Sequence, residues 1–181
     1  MIMNERKLPT IAQIVAGDNL PVDAKTNQLN ILLNQEPPKT WLKSHPMVKG
    51  VVYLPVDKIE YLLTAIFVKW HVEVKDVKVI ANSSVVTVRL HYKDPITGEI
   101  LWQDGVGAAP IHTKSGAGAM DWNSVNPMSV MQAVPSAESY AVKDAAEKIG
   151  RIFGKDLNRK DLVSYDSMNK ERFEGATLIE K

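Results

Sequence analysis

Residues 136–157 read SAESYAVKDAAEKIGRIFGKDL, and their apolar spacing sets what the rest of the chain has to pack against. Ser136 follows Pro135 and suits a helix N-cap, its hydroxyl accepting from the free N–H groups of the first turn. Ala141, Ala145, Ile149, Ile152 and Phe153 then recur at three- and four-residue intervals, the period of one helical face. That face is small at its start and bulky at its end, so its early turns can lie close to another backbone. Lys148, Arg151 and Lys155 fall at i, i+3 and i+7 and form a second, positively charged stripe. Gly154 loosens the last turn, where helices commonly stop. Lys143–Glu147, Asp144–Lys148 and Glu147–Arg151 are i, i+4 pairs worth about 0.2–0.5 kcal/mol each. The plain reading of the stripe is therefore a solvated face, and a functional one needs support from outside the helix.

Upstream, the period changes to two. Trp70, Val72 and Val74 alternate with His71, Glu73 and Lys75, and Val77 and Val79 continue after a bulge expected at Asp76. Asn82-Ser83-Ser84 supplies turn residues, and Val86, Val88, Leu90 and Tyr92 alternate with Thr87, Arg89 and His91. A second turn at Asp94-Pro95-Ile96-Thr97-Gly98 leads into residues 100–109. Three strands joined by short turns predict an antiparallel meander with one buried and one wet face. Gly105-Val106-Gly107 lacks the third glycine of a dinucleotide fingerprint, and Pro110 stands where a helix should open; the glycines instead signal a bend, a bulge or close backbone approach. Before the meander, Asp57 and Glu60 resemble a capping box, and Ile59, Leu62, Leu63, Ile66 and Phe67 trace a helix ending near Val68.

Farther out the signals weaken. Residues 1–27 read as a loose arm, with Asn27 capping a short helix that carries Leu29, Leu32 and Leu33 and ends at Glu36-Pro37-Pro38. In PKTWLKSHPMVKGVVYLP, Lys39, Lys43 and Lys49 flank Trp41 and precede Tyr53. Cations interleaved with aromatics suit a nucleic-acid surface, but the stretch taken alone favours an amphipathic loop with Trp41 as a core plug. Residues 113–134 lack a period and read as a long loop in which Trp122 and the methionines are either a contact surface or anchors. Residues 163–181 form a charged tail, leaving 28–162 as one core domain.

Composition narrows the function classes. The 181 residues are 45% hydrophobic and 24% charged with a formal net charge of +1, so any basic surface must be local. The absence of cysteine excludes disulfides, thiolate zinc sites and a cysteine nucleophile. His45, His71, His91 and His112 show no metal-ligand spacing, and neither a nucleophile elbow nor a phosphate-cradling loop is present. No cofactor is implied and no enzymatic step is expected. No signal-peptide core or membrane-length apolar run occurs, so a cytoplasmic protein with no membrane partner is the expectation.

The fold class expected is α+β: a three-strand meander flanked and crossed by helices, ending in the long basic helix. That order resembles the Rad-fifty-two-type single-strand annealing proteins and their phage Sak-like recombinase relatives. The likeness spans residues 29–162 and is most specific over AVKDAAEKIGRIFG (141–154), which is similar without a gap to the family's Ala-Val-x-Asp-Gly-Leu-Lys-Arg-Ala-Leu-Arg-x-Phe-Gly segment. Tyr53, the Gly105-Val106-Gly107 element and Lys160-Asp161 also match. The resemblance implies an ATP-independent recombination and repair protein. It would form a ring or filament of identical copies, hold single-stranded DNA in a groove with the bases outward, and work beside a single-strand-binding protein or an exonuclease. A phage-encoded chain would act in the cytoplasm of a bacterial host. Lys148 and Arg151 match basic groove residues, and Tyr53 matches a groove-lining aromatic. Glu147 stands where the family has the first cation of a Lys-Arg pair, which thins the groove or shifts that contact to Lys143. Lys43 and Lys49 are both counterparts for an upstream arginine, and Lys155 and Lys160 complete the basic set. The alternative is a phage or bacterial assembly protein whose basic helix contacts a partner subunit.

Overall fold

The computed structural model describes residues 22–45 and 48–159. The architecture is α+β. Helix α1 (Val22–Leu33) leads through a short ribbon, β1 (Lys43–Ser44) with β2 (Val52–Tyr53), into helix α2 (Val56–Phe67). The meander follows as β3 (Trp70–Ile80), β4 (Ser83–Lys93) and β5 (Ile100–Pro110), antiparallel in that order, and helix α3 (Pro127–Glu147) lies across it.

The sheet is close to its expected form because alternation and turn chemistry agree. Ala81-Asn82 makes the first turn, with Ala81 at a φ of 53°, so Ser83 and Ser84 belong to β4 rather than to the turn. In the second turn the Asp94 carboxylate accepts from the N–H groups of Ile96 and Thr97 (2.7 and 2.9 Å). The register shift in β3 falls between Val74 and Asp76. Val86, Val88, Leu90 and Tyr92 of β4 are buried on the face that meets the helices. Phe67 of α2 lies between Tyr92 and Phe153, with ring centroids 4.5 and 6.4 Å away.

Helix α3 packs on β5 and β4 through Ala133, Ala137, Ala141 and Ala145, all buried. Opposite them stand Gly105 and Gly107, where an added Cβ would overlap the carbonyl oxygens of Ala141 and Ala137. The two glycines thus serve close backbone approach, and the small start of the helical face is the surface that approaches.

Several expectations need correction. Helix α3 does not begin at Ser136: Asn126 is the N-cap, its side chain accepting from Met128 N, with Pro127 at the first helical position. The helix then runs through Pro135, whose missing bond is offset by burial of Ser129 and Ala133 in the added turns. The expected loop over 113–134 is accordingly shorter, residues 127–134 being helix. Nor does α3 reach Gly154. It stops at Glu147, and residues 151–153 form a separate 3-10 turn, because Gly150 passes against the end of α1, where a Cβ would meet the Leu33 carbonyl. The Ile152 and Phe153 side chains still enter the core, but from that turn. Helix α2 starts after Pro55 with no side-chain cap bond, so the Asp57–Glu60 capping box does not form. Helix α1 begins at Val22, upstream of the Asn27 cap and within the stretch expected to be a loose arm. Residues 1–21 of that arm and the 163–181 tail lie outside the described residues.

The contact between α3 and β5 is directly testable. Gly107→Val should destabilise the fold by at least the roughly 1–3 kcal/mol typical of overpacking, because the obstacle is backbone. Ala108→Val, on the exposed face of the same strand, should stay within about 0.5 kcal/mol of wild type in urea denaturation.

Candidate nucleic-acid interface

The ribbon meets the end of α3 and the turn that follows it, far along the chain. Tyr53 ends β2, Lys143 and Glu147 close α3, and the turn over residues 154–159 folds back across them. That turn is anchored to β2 by Asn158, whose side-chain amide accepts from Val52 N (2.9 Å) and donates to Val52 O (2.8 Å), completing a strand-like pairing. Gly154 begins the turn in the left-handed region, with φ 100°. A side chain there would be strained and would press on Leu54. Between these walls lies a cleft of about 530 Å³.

Its charges are mostly paired. Lys148 donates to the Asp144 carboxylate (2.9 Å) and to the Asp104 carbonyl (2.6 Å), tying the end of α3 to β5. Asp144 also accepts from Val106 N at 3.0 Å. Lys143 stands 3.7 Å from Glu147 and 5.1 Å above the Tyr53 ring, so it is held by a carboxylate and a π face together. Arg159 pairs with Asp156 at 2.8 Å. Lys155 is exposed and has no ion-pair partner among the described residues. Four cations (Lys143, Lys148, Lys155 and Arg159) therefore face three carboxylates (Asp144, Glu147 and Asp156) across the cleft. Burial pushes the Glu147 carboxyl above its usual range, against the pull of Lys143.

The structure brings together Tyr53, Lys143, Lys148 and Lys155 and separates the other candidates. Arg151 corrects the idea of a single basic helical stripe, since the break at Gly150 turns it away from Glu147 and onto Glu36 (3.0 Å). Its side chain is only 17% exposed and lines a neighbouring hollow of about 380 Å³ shared with Lys39 and Lys155. Lys43 lies opposite Tyr53 across the ribbon, and Lys49 sits in the exposed bend that joins its strands. Lys160 lies outside the described residues. Trp41 packs against the core and meets Tyr61 edge-on at 5.7 Å, the core-plug arrangement of the two foreseen.

Sequence reasoning missed Arg159, Asn158 and Glu36. A signal existed for the first: Lys155 and Arg159 repeat four residues apart just past a glycine. Asn158 and Glu36 act through long-range contacts that leave no local pattern. No family model matches this chain, and no curated protein does. Among the described residues, no cluster of three or more histidine or acidic side chains is placed to hold a metal, and no helix is long and apolar enough to cross a membrane.

The Glu147 shift fixes the sign of a pH effect. Its folded pKa lies above the unfolded one, so the fold favours the protonated form, and the group's contribution is present at acid pH and lost as pH rises through the folded value. The stability of wild type relative to Glu147→Gln should therefore fall in urea denaturation as pH rises through and above the ordinary carboxylate window. A difference that stays flat across that window would mean Glu147 is solvated as in the unfolded chain.

Proposed function

We propose that this chain binds single-stranded DNA along the basic cleft and, as an assembly of identical copies, anneals complementary strands in recombination and repair without a chemical step. One observation carries the reading: Tyr53, Lys143, Lys148 and Lys155 line one cleft although Tyr53 lies far from the others in sequence. Cations beside an aromatic, here the half-buried Tyr53, are what a phosphate backbone and its bases require. The hollow of Arg151 and Lys39 adjoins the cleft, sharing Val52, Lys155, Asp156 and Leu157 with it, and adds two cations to that side of the molecule. The element order, with a helix, a three-strand meander and a long helix, is the order implied by the resemblance to the Rad-fifty-two-type family.

Self-association is supported by the sheet itself. Among the described residues no strand pairs with the outer edge of β3 or of β5, although Asp144 and Lys148 cap the β5 edge at Val106 N and the Asp104 carbonyl. On the helix-facing side of β3, Val74, Val77 and Val79 remain about half exposed because α3 covers β4 and β5 instead. Apolar edge strands are pairing templates, and a head-to-tail use of the two edges generates a ring or helix. A second reading, an assembly protein whose basic segment meets a partner subunit, is favoured by the carboxylates in the cleft, which lower its attraction for phosphate.

Two measurements test the proposal. Lys148→Gln with Lys155→Gln should weaken binding to a labelled oligonucleotide and flatten the log–log salt dependence by about 0.7 for each phosphate that the variant no longer neutralises. Both side chains are exposed, so the fold should survive with only the loss of the Lys148 bonds to Asp144 and the Asp104 carbonyl, which Lys155→Gln alone leaves intact. Arg151 is too buried to be a clean probe. Equal affinity and slope in wild type and variant would remove the cleft from DNA binding and leave the assembly reading. Separately, Val77→Lys with Val79→Lys should shift light scattering from oligomer toward monomer. A wild-type chain that stays monomeric at micromolar concentration, with and without DNA, would refute self-assembly.

A further inference from the structure

On the far side of Tyr53 and Lys143 from the basic cleft lies a second hollow, of about 460 Å³ and different chemistry. Leu54, Pro55 and Val56 give it an apolar wall, and Tyr53 and Tyr140 give it two aromatic rings. Its helical wall is Ser136, Ser139, Tyr140 and Lys143, spaced i, i+3, i+4 and i+7 along one face of α3. Because α3 starts at Pro127, Ser136 lies within the helix instead of capping it. Tyr140 is 54% exposed although Ala141 beside it and Ala137 one turn before it are fully buried.

The cleft and the hollow share Tyr53 and Lys143. A ligand spanning both must therefore be anionic on one side of Lys143 and flat and apolar, with polar edges, on the other. A nucleotide unit within a strand has that division. We propose that the hollow is a nucleobase site: one base of the bound strand turns inward and stacks on Tyr140, while its phosphate lies by Lys143 in the cleft. This rests on the strand-binding reading above and departs from a groove that leaves every base outward. Stacking tolerates any base, because each has a π face. The Ser136 and Ser139 hydroxyls can meet base edges without imposing one sequence, since a hydroxyl both donates and accepts. The site would thus hold register along the strand without selecting sequence, as an annealing protein requires.

The test compares a twelve-residue oligothymidylate with an abasic phosphodiester strand of the same length, at one salt concentration. Wild type should prefer the oligothymidylate about tenfold, the size of one base–aromatic stack. Tyr140→Ala should lose that preference while keeping its affinity for the abasic strand, and Tyr140→Phe should retain it. A 2-aminopurine strand should be quenched on binding wild type and less so on binding Tyr140→Ala. If wild type binds both strands equally with a normal salt slope, the base site is wrong and the phosphate cleft stands. A preference that survives in Tyr140→Ala places the base contact elsewhere and also overturns the inference. If wild type binds neither strand, the strand-binding reading fails first. The wild-type comparison needs no variant, so a folding defect in Tyr140→Ala leaves the inference testable.

Discussion

The approach of α3 to β5 at Gly105 and Gly107 is the constraint on which the rest of the molecule depends. A helix normally stands off a sheet by the length of its side chains, but here alanines meet glycines and the two backbones are almost in contact. The residues on the remaining helical faces are thereby fixed relative to the strands. Asp144 reaches Val106 N, and Lys148 reaches the Asp104 carbonyl, only because the helix lies so low. The same depth leaves no room for α3 over β3, whose valines stay uncovered while β4 is buried. One packing choice thus generates both the polar seam at the end of the helix and the apolar edge of the sheet.

The opposite face of the sheet shows how differently charge behaves without that seam. There the register sets Arg89 beside Asp104 and His91 beside Trp102. Arg89 forms a two-pronged ion pair with Asp104 (2.7 and 2.8 Å) while its guanidinium lies 3.8 Å over the Trp102 ring. This holds the Asp104 carboxyl below its usual range. Cross-strand neighbours there meet directly, the His71 and His91 rings stacking at 4.5 Å and His91 reaching Glu73 at 3.2 Å. In the cleft the walls stand apart, the Lys143–Glu147 pair is long at 3.7 Å, and Lys155 has no acidic partner among the described residues.

Much of the fold is legible in the sequence because it is encoded locally. Alternation in β4, the Asp94 turn and the small-to-bulky gradient from Ala141 to Phe153 are short-range patterns with direct physical meaning. The glycines of β5 are readable as close-approach sites even though nothing nearby in the chain shows what approaches. The differences lie at boundaries that tertiary contacts decide. Pro135 looks like a helix start in isolation, and only the burial of Ser129 and Ala133 makes the turns before it worthwhile. Gly150 continues the helical period on paper, yet its contact with Leu33, more than a hundred residues earlier, ends the helix. That break turns a supposed stripe of three cations into two placements: Lys148 and Lys155 in the cleft, and Arg151 against Glu36. The cleft itself joins residues from positions 52 to 159, and no periodicity reports such a juxtaposition.

Lys143 shows why paired cations are compatible with the proposed role. Its ammonium already has a carboxylate at 3.7 Å and the Tyr53 ring below it, so an arriving phosphate exchanges with Glu147 rather than meeting a bare charge. Such an exchange lowers affinity per subunit, because the Coulombic gain is a difference between two partners. Burial weakens the carboxylate's hold, since it disfavours the charged form of Glu147 and opposes the pull of Lys143. An annealing protein has to release its product as readily as it gathers its substrate. Modest contacts repeated across many copies meet both needs: their sum retains a long strand, while each unit lets go independently. A cleft lined only with unopposed cations would hold duplex and single strand alike, and on the annealing reading the acidic side chains keep the grip reversible.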